Sequence, residues 1–381
     1  MKISDVTVYK VKPRWIFVKI STDEGIEGWG EMISGTKTET VVAGAYEIGN
    51  RLIGRNPFEI ERLFQEMHRS FFRGGPINGT IVSGLEMALW DIKGKAFNVP
   101  VYELLGGAAR DKIKVYSWIG GDRPSEVAEQ AQDRFDRGFT AVKMNATEEL
   151  HYIDSYQKVD EVVERVASIR ERFGDAMDIG VDFHGRVHKP MAKVLAKALE
   201  PFHPMFLEEV VLPENEEHFK EVADSVAVPL ATGERLYTRW QFKNLFKQGT
   251  VDIIQPDVAL CGGILETRKI AAMAEAYDMA VAPHAPYGPV ALAATLQVDS
   301  CTPNVFIQEQ SLGIHYNKGF VLLDFVKNKE VFQYKDGYVD LPSKPGLGLE
   351  MDEDKIKEIA QEGLIWTNPQ WKNYDGTIAE W

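Results

Sequence analysis

Six ionisable residues recur through the second half of the chain at nearly even intervals: Asp182, Glu208, Glu234, Asp257, His284 and Glu309, separated by 26, 26, 23, 27 and 25 residues. Each closes a short apolar run (IGVDFH, FLEEV, PLATGE, IIQPD, VAPH, FIQEQ), and a helix-like stretch follows most of them. A strand and its helix occupy roughly 25 to 30 residues, and when such units repeat as parallel crossovers the same end of every strand arrives at one face. The spacing therefore predicts a (β/α) barrel. It also predicts that these six groups share one small volume at its mouth.

The alternation begins earlier than the acidic series. KVYSWI, a helix over Ser125 to Arg137, TAVKMN and a helix over Tyr156 to Arg172 supply two more units, giving eight strands. Before them, VTVYKV, WIFVKIS and IEGWGEMI, broken by Asp23-Glu24-Gly25, suit a small antiparallel meander. Helical spacing follows over Thr38 to Leu52, Pro57 to Phe72 and Ser83 to Asn98, with Pro57 expected to open its helix. Past residue 324 the alternation stops. Lys344-Pro345-Gly346-Leu347-Gly348 signals a loop and MDEDKIKEIAQ a short amphipathic helix. The expected organisation is an α+β domain over 1–112, a barrel over 113–324, and a segment over 325–381 that packs back on the first domain.

Charge and composition narrow the function. With 381 residues, 44% of them hydrophobic, the chain can bury a large core. A net charge of -14 and no basic cluster argue against nucleic-acid and anionic-membrane partners. The opening MKISDVTVYKV lacks the apolar stretch of a secretory leader, and no later run is long enough to span a bilayer. Cys261 and Cys301 form no CxxC or Cys/His ligand pattern, so neither a disulfide framework nor a thiolate zinc site is expected, and a reducing cytoplasm is.

Three carboxylates at matched strand ends, Asp182, Glu208 and Glu234, suit a hard divalent cation that prefers oxygen and keeps positions open for substrate. Any one alone would more often be a salt-bridge partner; the shared register favours ligation. Glu208 and Glu209 are neighbours, and spacing does not say which faces inward. Asp182 and His184 are two apart, so on a strand their side chains would point the same way, making His184 a candidate for proton transfer or a structural hydrogen bond. Asp257 and His284 end adjacent strands. They are either a His-Asp dyad, with the carboxylate fixing the tautomer of a general base, or two unrelated buried polar groups.

Read together, ALWDIKGKAFNVPVYELLGG, VDFHG, FLEEV, TGER, IIQPDVALCGGI, VAPHAPYGP and IQEQSLGIHYNKG resemble the enolase superfamily, in its mandelate-racemase-like branch of acid-sugar dehydratases. The resemblance spans nearly the whole chain. It implies a modified TIM barrel, its eighth repeat irregular, under a capping domain built from the N-terminal region and the C-terminal tail. It implies one Mg²⁺ per subunit on Asp182, Glu208 and Glu234, choosing Glu208 over its neighbour, although Val210 stands where the family usually has proline. His284, oriented by Asp257, would take the C2 proton of an aldonate, His184 would protonate the departing 3-hydroxyl, and Glu309 would hydrogen-bond the substrate carboxylate; Mg²⁺ with a His or Lys base is this superfamily's general device. Racemases of this type place a second lysine two residues after the first on the second strand. Here the pair is Lys143 and Asn145, which disfavours a two-base racemase; Lys143 contacts substrate or pairs with a ligand carboxylate.

The implied substrate is galactonate. The alternatives are another aldonate such as gluconate, or a catalytically silent metal-binding barrel. Discrimination is expected from loops at Ser34 to Thr38 and Arg73 to Asn78, and the resemblance implies a homo-oligomer acting on a small acid sugar.

Overall fold

The computed structural model describes residues 1–33, 35–69, 73–317, 319–364 and 366–380. The chain opens with an antiparallel meander of β1 (Ile3–Val11), β2 (Trp15–Thr22) and β3 (Glu27–Ile33). Helices α1 (Thr38–Gly49), α2 (Ile60–His68) and α3 (Pro76–Phe97) follow. α3 lies directly on β3. A Cβ on Gly30 would fall 1.8 Å from the carbonyl oxygen of Gly84, and one on Gly28 2.1 Å from that of Ala88, so these positions must be glycine for helix and sheet to touch.

Two helix starts differ from the sequence expectation. α2 begins at Ile60 rather than Pro57, and the proline in a first helical turn is instead Pro76 of α3. α3 begins seven residues before the expected Ser83, taking in Pro76 to Asn78 of the loop expected at 73–78. Gly79 serves close packing there: a Cβ would lie 2.4 Å from the carbonyl oxygen of Leu260.

Eight parallel strands then form the barrel: β4 (Lys112–Trp118), β5 (Ala141–Asn145), β6 (Asp178–Asp182), β7 (Phe206–Glu208), β8 (Leu230–Thr232), β9 (Ile253–Ile254), β10 (Ala280–Val281) and β11 (Gln308–Glu309). Between them run α4 (Val127–Asp136), α5 (Tyr156–Phe173), α6 (Lys189–Leu199), α7 (Phe219–Ala223), α8 (Arg239–Gln248), α9 (Ile264–Glu275) and α10 (Pro289–Ser300). Strands β4 to β10 pair in sequence. The ring completes through residues 304–309: Val281 N donates to Asn304 O and Phe306 N to Val281 O at one side, while Gln308 and Glu309 pair with Val115 and Tyr116 at the other. Among the described residues only 3₁₀ turns follow β11 before the hairpin near residue 334, so the eighth repeat has no α-helix.

Large and small side chains alternate across the barrel floor, with Tyr116, Phe206, Ile253 and Ile307 set against Ala141, Ala231 and Ala282. The interior is thus filled, and only the mouth is left for chemistry. Gly180 makes room for the Phe206 ring, which lies 2.8 Å from where a Cβ would be.

The tail divides its contacts. β12 (Tyr334–Lys335) and β13 (Tyr338–Asp340) form a hairpin that pairs antiparallel with the first residues of β4. Phe325 packs edge-on against Trp15 at 5.5 Å. In α11 (Glu353–Ala360), Glu353 accepts from Tyr9 Oη at 2.7 Å and Lys19 Nζ at 2.8 Å.

Two buried carboxylates fasten the N-terminal domain to the barrel. Glu31, on β3, takes the first backbone N–H groups of α10, from Gly288 (2.7 Å) and Ala291 (2.9 Å). Glu86, on α3, takes those of α9, from Ile264 (2.7 Å) and Leu265 (3.0 Å). Each satisfies orphan donors at a helix start, where the dipole favours negative charge. Burial nonetheless dominates and pushes Glu31 up to about 7 and Glu86 up to about 8. No helix among the described residues is long and apolar enough to cross a membrane.

Candidate active site

Parallel register brings the acidic series level. Asn145 pairs beside Asp182, and Asp182 beside Glu208, across β5, β6 and β7. Glu234 lies two residues beyond β8, and a bridge joins Asp257 to His284 beyond β9 and β10. One oxygen from each of Asp182, Glu208 and Glu234 falls within 4.8 Å of the others, and all three side chains are buried.

That grouping is costly without a counter-charge. Burial and the neighbouring carboxylates hold Asp182 well above the usual range and push Glu208 up to about 7, while His284 and Arg235 outweigh burial at Glu234 and bring it down to about 2. Asp182 Oδ2 is buried with no hydrogen-bond partner among the described residues. A lone buried carboxylate oxygen beside two others fits a hard cation, since charge repulsion and an unmet acceptor are relieved together.

Lys143 stands at the centre, 2.7 Å from Glu208 Oε1, 3.0 Å from Glu309 Oε1 and 4.0 Å from Asp182 Oδ2. Burial opposes its charge, but Glu208 and Glu309 prevail and raise it well above its ordinary pKa. It pairs with carboxylates of the triad and also lines the cavity, so both sequence alternatives have a geometric basis. Gln255 Nε2 takes the other oxygen of Glu208 at 2.7 Å. Glu209 points elsewhere: it accepts from Thr232 Oγ1 and pairs with Arg235 Nε at 3.2 Å.

Across the triad stands His284. Its Nδ1 is 2.7 Å from Asp257 Oδ2, whose other oxygen accepts from Ala259 N at 2.7 Å. Its Nε2 faces Glu234 Oε2 at 3.4 Å and Glu309 Oε2 at 3.8 Å. Burial disfavours charge on this ring, but Glu234, Glu309 and Asp257 together push it up to about 10.

Glu309, expected to hydrogen-bond the substrate carboxylate, stands beside Lys143 and His284, with Oε2 3.8 Å from His284 Nε2. It is fully buried, and it accepts from Trp118 Nε1 (2.8 Å), Ala285 N (2.9 Å) and Lys143. Burial notwithstanding, Lys143 and His284 keep it ionised below its ordinary pKa.

His184 lines the same cavity as Asp182, but not by strand alternation. β6 ends at Asp182, and His184 sits in a turn with φ +56°, a left-handed conformation that costs a non-glycine residue about 1 to 2 kcal/mol. Its N–H donates to Asp182 Oδ1 at 2.6 Å and its carbonyl accepts from Arg235 Nη2 at 2.9 Å, which hold the turn. Burial, then Arg186 and Arg235, drive its pKa well down.

These groups meet in a cavity of about 100 Å³ lined by Lys143, Asp182, His184, Glu234 and His284 together with Arg14, Asp122, Tyr287, His315 and Tyr316. Arg14 is a contribution of the N-terminal domain that sequence reasoning missed. It reaches in from the β1–β2 turn, donates to Pro286 O at 2.6 Å, and lies over the rings of Tyr287, Tyr316 and Trp366. Its signal was an arginine between Pro13 and Trp15, in a turn that small residues usually fill. The described residues of the expected loops at 34–38 and 73–78 do not line the cavity, and Ser34 lies outside the described residues.

A barrel with its polar groups at the strand ends, a carboxylate triad and a His-Asp pair defines a class, and the comparisons agree. Residues 1–106 match the model of the mandelate racemase / muconate lactonizing enzyme N-terminal domain, and residues 126–355 that of the enolase C-terminal domain-like family. The chain belongs to the enolase superfamily, in the mandelate racemase and muconate lactonizing enzyme group. Two D-galactonate dehydratases, from Variovorax paradoxus (strain S110) and Cronobacter sakazakii (strain ATCC BAA-894), are each 51% identical to it over 382 residues, covering 100% of both chains. Among solved structures, an enolase from Agrobacterium radiobacter with bound Na and L-malate superposes with a TM-score of 0.90 at 33% identity over 100% of each chain. A member of the enolase superfamily from Salmonella Typhimurium matches with a TM-score of 0.86 at 30% identity, over 94% of this chain and 98% of its own.

Proposed function

We propose that the chain dehydrates D-galactonate to 2-dehydro-3-deoxy-D-galactonate. The observation that carries this reading is the 51% identity to D-galactonate dehydratases across all of both chains. His184 and His284, both lining the cavity beside the carboxylate triad, support it.

Asp182, Glu208 and Glu234 would hold Mg²⁺, which when bound neutralises charge that develops on the substrate's carboxylate. The remaining work belongs to side chains. A proton beside a carboxylate is weakly acidic, so its removal needs a base held in place and in the right tautomer. His284 takes the C2 proton at Nε2 while Asp257 holds Nδ1–H at 2.7 Å. Lys143 keeps positive charge beside the substrate carboxylate and locks Glu208 and Glu309 in position. Glu309 works through its neighbours, steadying Lys143 and strengthening His284 as a base. His184 delivers a proton to the departing 3-hydroxyl, and the enol released tautomerises to the 2-keto-3-deoxy acid. Asn145, level with Asp182, leaves one basic group for C2, which fits elimination rather than racemisation. The buried free thiols of Cys261 and Cys301 suit a reducing cytoplasm.

Incubation with Mg²⁺ and a panel of aldonates, assayed for 2-keto-3-deoxy products, tests the reading. Galactonate is expected to turn over fastest. Preference for gluconate would overturn the substrate, and silence on every aldonate would leave a metal-binding barrel without turnover.

A further inference from the structure

Galactonate and gluconate differ only in configuration at C4, so whatever tells them apart must meet the substrate beyond the reacting carbons. The described residues of the loops expected to do this, at 34–38 and 73–78, do not line the cavity. Asp122, His315 and Tyr316 do. Asp122 follows β4, His315 and Tyr316 follow β11, and those two strands are paired neighbours. In the ring of eight, β4 and β11 stand opposite β8 and β7, whose ends bring Glu234 and Glu208. An aldonate whose carboxylate lies at the triad therefore directs its far carbons toward Asp122.

Asp122 is 7% exposed, and donors from three segments hold it in place. Its Oδ2 accepts from the Tyr316 hydroxyl and has His315 Nε2 3.2 Å away. Arg186 Nη1 donates to the carbonyl oxygens of Asp122 (3.0 Å) and Thr147 (3.2 Å), which leaves its Nη2 3.6 Å from Asp122 Oδ1, beyond hydrogen-bond reach. Arg14 ties the same cluster to the N-terminal domain, lying 5.1 Å over the Tyr316 ring and donating to Asn317 Oδ1 at 3.3 Å. Burial opposes charge on Asp122, but His315, Tyr316 and Arg186 hold its carboxyl below the usual range. An ionised carboxylate accepts at both oxygens, so Oδ1 keeps capacity for a further donor.

We propose that Asp122 is the specificity-determining residue of the site, its carboxylate accepting a hydrogen bond from the C4 hydroxyl of galactonate. Inversion at C4 swings that hydroxyl away and leaves a buried acceptor without its donor. Sites built to hydrogen-bond a substrate hydroxyl discriminate most strongly in this way, because the unpaired group stays buried. The choice of an aldonate rests on the dehydratase reading; the place of Asp122 rests on the fold.

The test takes the full chain with Mg²⁺ and compares D-galactonate, D-gluconate and the 4-deoxy acid common to both. In the unmodified protein kcat/KM should fall about tenfold or more from galactonate to either of the others. In Asp122→Ala the three values should converge to within about threefold, whatever their absolute level. Asp122→Asn keeps the side chain's volume; it should cut the preference by about threefold or more, and it decides the matter if Asp122→Ala does not fold. A merely structural Asp122 would lower all three substrates together and preserve the preference for galactonate, which overturns the proposal. So does an unmodified protein that treats galactonate and the 4-deoxy acid alike. Calorimetric titration of the same compounds separates this proposal from the functional reading. If none is dehydrated, that reading fails, while Asp122 keeps its role if galactonate binds about tenfold more tightly than the 4-deoxy acid and Asp122→Ala erases the difference; equal binding overturns it.

Discussion

At the scale of single residues, the proposed mechanism assigns proton removal to His284 and proton supply to His184, and the two roles can be separated by substitution. His284→Asn should abolish C2 exchange and dehydration together. His184→Asn should retain exchange and lose dehydration by about 100-fold or more, measured by deuterium incorporation and by keto-acid formation; normal dehydration in that variant would remove His184 from the acid's role. The protonation of His284 couples these groups to the metal. A base must be deprotonated to act, so exchange rises with pH through the His284 pKa, which stands at about 10 while Glu234, Glu309 and Asp257 all face the ring with their charges. Neutralising Glu234 by a cation removes part of that field and lowers the pKa. The rising limb of the exchange profile should therefore move to lower pH as Mg²⁺ is raised, and a limb indifferent to Mg²⁺ would separate the triad from the base. Much at this scale was legible beforehand. Even spacing brought Asp182, Glu234, Asp257 and His284 together, because parallel register converts sequence period into proximity, whereas the choice of Glu208 over Glu209 needed the family resemblance. His184 was chosen on strand alternation although it sits in a left-handed turn, and Arg14, Asp122 and Arg186 were missed because no period links a domain turn to a strand end.

At the scale of elements, the N-terminal domain is held to the barrel where β3 meets α10 and α3 meets α9. Glu86 takes backbone donors at the start of α9 and also the indole N–H of Trp90 at 2.8 Å. Glu86→Ala leaves those donors buried and unpaired and should cost about 2 kcal/mol or more, read as a lower denaturant midpoint. A pH dependence accompanies it. The carboxyl pKa is raised on folding to about 8, so its protonated form is the one the fold favours; that contribution is complete below the unfolded value near 4.5 and is lost as pH rises through 8. Glu86→Gln has no such titration, so the stability of the unmodified protein relative to this variant should fall between pH 5 and pH 8. A constant difference would show that Glu86 is ionised throughout. Helix boundaries in this region were the least legible part of the fold, since Gly79 reads as a turn in sequence and serves as a contact surface in three dimensions.

At the scale of the whole molecule, the architecture could be read early because the βα period repeats; the tail makes the expected contacts with β1 and β2, while its pairing with β4 was not read from the sequence. The carboxylate triad adds a global signature. A cation that binds only the folded site stabilises it by about 2.7 kcal/mol at one hundred times its dissociation constant. Mg²⁺ should then raise the melting temperature by several degrees and chelation should reverse the gain, whereas an unmoved transition would argue against a site at the triad. The two glutamates planted from the N-terminal domain into the barrel have a consequence for descent. A cap taken from another lineage would have to bring both carboxylates into step with two helix starts of a foreign barrel. Recombination of whole caps is therefore expected to fail more often than rewriting a loop such as the one bearing Arg14, and new substrate preferences in this architecture should arise by the second route.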